Sequence, residues 1–175
     1  FSSNLYAQNL SSVEVSQLIN DYRSSMETEI ISDFVNLLSL PNVAQNQDDM
    51  DINADHITSL LEERGFTTQR LQSGGSPYVY AEMMQAGATE TLLLYAHYDG
   101  QPVQVENWEY PPFTPTLLDA PLQSGGQPVD IAQVMGSFNP EWRMYARSAG
   151  DDKMPIIALI HTLDAMEANS IDLSV

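Results

Sequence analysis

Cysteine is absent from this sequence. That excludes a disulfide framework and a thiolate metal site, so any bound ion must be held by His, Asp and Glu. Basic residues are scarce. Six Lys and Arg stand against 24 Asp and Glu, a formal net charge of −18, and Lys153 is the sole lysine. Such a surface repels nucleic acid and anionic membranes, and no basic patch argues otherwise, so neither is expected as a partner. No apolar run approaches the length that spans a bilayer. The 175 residues with 43% hydrophobic content are enough for one folded domain with a real core.

The most informative stretch is Thr91–Gly100, TLLLYAHYDG. Its near-continuous apolar opening predicts a strand buried on both faces, as in a parallel sheet, and Gly100-Gln101-Pro102 predicts its end. Side chains two apart on a strand share a side, so His97 and Asp99 point the same way. Functional residues of open α/β sheets collect beyond the carboxyl ends of strands. A metal-ligating imidazole usually gives its other N–H to a carboxylate, which suits His97 as ligand and Asp99 as its orienter. Alone, an H-x-D pair is more often a partly buried histidine bonded to a nearby acid.

Around this stretch the chain alternates helix and strand. Apolar residues recur at three- and four-residue steps from Ile19 to Leu37, predicting a helix over 11–40 that Pro41 ends. Residues 42–51 read as a solvated acidic loop. Asp48, Asp49 and Asp51 there lack the glycine and distal glutamate of an EF-hand. A helix follows over 52–64 with His56 exposed in its first turn, then strands within 66–96 and a long irregular loop over 101–150. The tryptophans and Phe113 predict that this loop is ordered, packed near the point where His97 emerges. A helix over 154–168 contains His161, read as structural, and alternation from Ser170 predicts a further strand. The opening FSSNLYAQ has the small and polar residues that follow a secretory signal, so a periplasmic or secreted location is expected over a cytoplasmic one.

Asp151 and Asp152 precede the last helix, where backbone N–H groups favour carboxylates. They can be simple caps with Lys153 as a surface counter-charge. Read together, the two sites form a more specific order: H-x-D-G-Q-P, then Trp108, then Pro112-Phe113, then Ala146 to Lys153. That order resembles the co-catalytic dizinc exopeptidase family of carnosinase-like dipeptidases, aminoacylases, succinyl-diaminopimelate desuccinylase and carboxypeptidase G, over the amino-terminal part of its catalytic domain.

The resemblance implies an α/β fold, a three-layer mixed sheet flanked by helices, cut after its amino-terminal half. It implies His97 as a ligand of one metal, Asp99 as the catalytic-site residue orienting it, and Asp151 as the carboxylate bridging two ions. Asp152 is then a neighbour rather than a ligand. The implied ions are zinc, with cobalt or manganese as substitutes, and the implied substrates are small peptides or N-acyl amino acids. The general-base glutamate, the remaining ligands and the dimerisation domain are expected to lie outside the chain, so the chain alone is expected to be inactive and the intact protein a homodimer. Two departures stand out: Ala146-Arg147-Ser148 where the family often has G-R-G, and Met154-Pro155 where a glycine follows the lysine. The alternative from another class is a non-catalytic acidic α/β binding module. A phospho-acceptor domain with Mg²⁺ at Asp151 or Asp152 leaves His97 unexplained.

Overall fold

Ser11 opens the first helix with a capping box: its side chain accepts from the Glu14 N–H while the Glu14 carboxylate accepts from the Ser11 N–H. The computed structural model describes residues 10–171 apart from Ser73; residues 172–175 of the expected last strand lie outside them. The single helix expected over 11–40 is two, α1 (Ser12–Ser25) and α2 (Glu27–Ser39), broken at Met26. The hydroxyls of Ser24 and Ser25 bond back to the Asn20 and Tyr22 carbonyls, the side-chain competition that weakens a helix interior. Leu40 is extended ahead of Pro41, as the proline ring requires.

The third helix, α3 (Gln47–Glu62), begins earlier than the sequence pattern suggested. Asn46 accepts from the Asp48 and Asp49 N–H groups, so the acids read as loop fill the first turns of a helix, where its dipole favours them. His56 therefore lies in mid-helix and is half-buried. Burial pushes its imidazole down.

Two strands, β1 (Thr67–Leu71) and β2 (Tyr78–Glu82), pair antiparallel, with Thr67 opposite Glu82 and Leu71 opposite Tyr78. The expected central strand over 92–96 is not one. Leu92, Leu93, Leu94 and Tyr95 are exposed, Leu93 by 84%, and no described strand runs beside them. An apolar run records a need for burial; strand structure requires a neighbour to take its N–H and C=O groups, and β1–β2 pair only with each other. The mixed sheet is accordingly replaced, among the described residues, by helices and two small antiparallel sheets.

The second small sheet belongs to the long segment, which has more structure than a loop. There β3 (Thr116–Leu118) pairs with β4 (Arg143–Tyr145), and Trp142 packs edge-on against Phe138 with ring centroids 6.0 Å apart. The last helix, α4 (Met154–Ala168), opens with Pro155 in its first turn. Its Ile156, Ile157 and Ile160 form the core with Leu37 of α2, Met50 and Ile57 of α3, and Tyr98. His161 is buried beside Asp33 and Asp164, and Asp164 also accepts from Arg64 at 2.6 and 2.7 Å. No described helix is long and apolar enough to cross a membrane.

The burial pattern separates two apolar positions that hydropathy alone would equate. Ile160→Ala, at a fully buried site, is expected to cost about 2–5 kcal/mol by urea denaturation. Leu93→Ala in the same assay is expected to stay within about 0.5 kcal/mol of the parent, because that side chain is already in water.

Candidate metal centre

Asn42 is the residue from which the site is built. It follows Pro41 and is completely buried. Its Nδ2 donates to the Tyr98 carbonyl at 2.6 Å and to Ser148 Oγ at 2.8 Å. Its own carbonyl accepts from the Gly100 N–H at 2.7 Å, and the Gly100 carbonyl accepts from the Ala44 N–H at 2.9 Å. The segment after α2 is thereby paired in parallel with the turn after His97 and tied to the turn before Asp151. Gly100 is required by close approach. A Cβ there would lie 2.8 Å from Ser148 Oγ and 3.1 Å from the Asn42 amide.

The clamp brings the sequence-predicted residues together. His97 Nε2 is 2.9 Å from Asp151 Oδ1, across 54 positions of chain. On the other side of the ring, His97 Nδ1 is 3.2 Å from Asp99 Oδ1 and 3.3 Å from the Asp99 carbonyl. The His97 N–H donates to Asp152 Oδ2 at 3.4 Å. Burial opposes charge on the imidazole, but the hydrogen bonds to Asp99 and Asp151 and their negative charges outweigh it and raise its pKa. The pairing therefore stabilises the fold fully below the ordinary histidine pKa and is lost as pH rises through the raised one.

Two acceptors facing both ring nitrogens are a geometry for two N–H donors, or for one N–H and one cation. The ring can keep Nδ1–H toward Asp99 and offer the Nε2 lone pair toward Asp151. Ligands about 2.0–2.1 Å from one tetrahedral zinc ion lie about 3.3 Å apart, close to the His97–Asp151 separation. These two side chains thus fit as part of a divalent-metal donor set. Among the described residues no group of three or more His, Asp and Glu is gathered around one point.

Lys153 holds the acidic turn from behind. It is fully buried, not a surface counter-charge, and its Nζ donates to the Leu37 and Leu40 carbonyls at the end of α2 at 2.8 and 2.9 Å. Burial pushes its ammonium down to about 7. Asp151 and Asp152 leave helical geometry just ahead of it, so the Asp151 carboxylate is free of a capping role and 89% exposed.

No protein-family model matches the chain. A succinyl-diaminopimelate desuccinylase of Methylobacillus flagellatus is 32% identical over 118 residues, which are 66% of this chain and 25% of that protein. The solved structure of an M20 family metallo-carboxypeptidase, Sso-CP2 of Sulfolobus solfataricus, is 25% identical and superposes with a TM-score of 0.60 over 81% of this chain and 28% of its own. The chain resembles the M20 metallopeptidase family. The fold is shared also with the di-peptidase Dug1p of Saccharomyces cerevisiae, at a TM-score of 0.68, 20% identity, and coverage of 93% of this chain and 33% of that one. The chain spans between a quarter and a third of the length of these similar proteins.

The resemblance makes one departure legible. Ser148 stands where the M20 pattern often has glycine, and its φ of 62° lies in the left-handed region that favours glycine. Its hydroxyl accepts from Asn42, a contact glycine cannot make. Leaving that region's cost of about 1–2 kcal/mol uncompensated would weaken the turn. Sequence reasoning placed Asn42 in a solvated loop, because a lone buried amide has no periodicity to reveal it.

Asn42→Ala strands the Tyr98 carbonyl and the Ser148 hydroxyl, and is expected to destabilise the chain by about 1–3 kcal/mol in urea. Gly100→Ala, which attacks the same junction by crowding, is expected to shift the midpoint in the same direction.

Proposed function

We propose that this chain contributes part of the metal centre of a metal-dependent hydrolase acting on peptide or acyl-amide bonds of small substrates. The observation that carries the reading is the 2.9 Å approach of His97 Nε2 to Asp151 Oδ1, with Asp99 on the far ring nitrogen. In this reading His97 and Asp151 hold the ion and Asp99 fixes the ring tautomer. A pair of divalent ions supplies Lewis acidity and lowers the pKa of water for attack on the amide carbonyl. Zinc suits an imidazole and carboxylate set without thiolates. Asp152, which accepts from the His97 backbone N–H, ties the two loops together rather than binding the ion.

The desuccinylase, di-peptidase and metallo-carboxypeptidase names of the similar proteins support an amide or peptide bond as target. Two features support the reading that the intact protein is larger. The exposed Leu92–Tyr95 run suits a segment that takes a neighbour, and His97 with Asp151 is short of the three protein ligands usual at catalytic zinc. The general base and the remaining ligands would then come from residues beyond those here, in a protein that pairs as a homodimer.

Zinc titration of the chain tests this reading. Asp151→Ala and His97→Ala are expected to weaken zinc binding at least about tenfold, and Asp99→Ala about tenfold through loss of ring orientation. Equal affinity in parent and variants would remove the ligand assignment. Turnover of dipeptides or N-acyl amino acids by residues 1–175 alone would contradict the need for residues outside the chain.

A further inference from the structure

Each of the chain's six bases except one has a partner among the described residues. Arg23 pairs with Glu27, Arg64 with Asp164, Arg70 with Asp51 and Asp55, and Arg143 with Glu141, while Lys153 donates to two carbonyls. Arg147 has none: no ion pair or side-chain hydrogen bond reaches its guanidinium, and its Nε is buried unsatisfied. In a chain with 24 acids, such a cation is conspicuous. A buried donor left unpaired costs about 1–3 kcal/mol.

Arg147 lines a cavity of 330 Å³ with Pro102, Val103, Gln104, Asn107 and Trp108. No Asp or Glu is among these six residues. The Asn107 amide donates to Gln104 Oε1 at 2.8 Å, which occupies that acceptor and leaves the Gln104 NH₂ as a donor. The Trp108 indole N–H adds a second donor type. Both walls continue the segments of the metal centre. Pro102 to Gln104 follow Asp99 and Gly100, and Arg147 directly precedes Ser148, held by Asn42. The Arg147 backbone is itself pinned, its N–H donating to the Pro112 carbonyl at 2.7 Å.

We propose that this cavity is a carboxylate subsite, in which the Arg147 guanidinium receives the free carboxylate of a substrate whose amide lies at the metal centre. A single guanidinium fork matches a planar carboxylate with two parallel N–H···O bonds. A phosphate would call for more converging donors, and its second charge is penalised by a molecule carrying −18. Calling the carboxylate the substrate's rests on the hydrolase reading; the binding of a carboxylate here does not.

The test is therefore binding, on the 175-residue chain without added metal. Acetate, glutarate and inorganic phosphate are titrated while the Trp108 indole and Arg147 Nε–H resonances are followed by NMR. Saturable shifts with acetate and glutarate, with dissociation constants on the order of millimolar, and a weaker response to phosphate are expected. Arg147→Gln should weaken carboxylate binding at least about tenfold, and Arg147→Lys less, since it keeps the charge but loses the fork. Gln104→Glu, which leaves Arg147 in place but puts an acid in the cavity, should weaken binding as well. Carboxylate binding is read with no zinc present, so that a failed zinc titration and a failed subsite are told apart. No saturable response in the parent, parent-like binding by Arg147→Gln or Gln104→Glu, or tighter binding of phosphate than of either carboxylate would overturn the assignment.

Discussion

One buried asparagine, through its side-chain amide and its own backbone carbonyl, holds three distant segments in register. Asn42 reaches the Tyr98 carbonyl, the turn at Gly100 and the left-handed Ser148, so the loops bearing His97 and Asp151 are fixed to one another through the end of α2 as well as by their own contacts. Hydrogen bonds made in a buried setting are strong because water cannot compete, and leaving them unmade is costly for the same reason. Lys153 adds a second tie to the same helix end through the Leu37 and Leu40 carbonyls. The C-terminal end of α2 is thus a shared anchor. Its exposed carbonyls, which every helix must satisfy somewhere, are satisfied here by the residue that follows the site acids.

The electrostatics follow from that anchoring. His97 is held between acceptors on both ring nitrogens, and the acids raise its pKa. The same field that favours a proton on the ring favours any cation between Nε2 and Asp151. Asp151 stays largely in solvent, while Lys153 two residues later is entirely enclosed. A carboxylate in water and an amine in the core thereby sit two residues apart in one short segment, the acid turned outward and the Lys153 Nζ inward.

Much of this was legible from residue order. H-x-D after an apolar run and D-D-K before a helix picked out side chains that the fold brings within hydrogen-bonding distance, because polar residues at element ends leave a compact local signature. The helix over 154–168 was legible from its broad apolar face and from Pro155. The break at Met26 was not, since serine hydroxyls bonding back to carbonyls leave the apolar period intact. The strand at 92–96 failed for a different reason: pairing is a property of two segments, and hydropathy describes one. Asn42 and Lys153 were missed because a single polar residue buried by tertiary contacts looks, in sequence, like any other polar residue.

The open Leu92–Tyr95 run also bears on how copies of the chain meet. Unpaired backbone flanked by leucines is a template for edge-to-edge association between molecules. What stands against that is the long-range repulsion of molecules each carrying −18, and its reach shrinks from about 30 Å at 0.01 M salt to about 8 Å at 0.15 M. Colloidal behaviour is therefore set by a contest between a sticky ribbon and a screened charge cloud, and ionic strength decides which prevails.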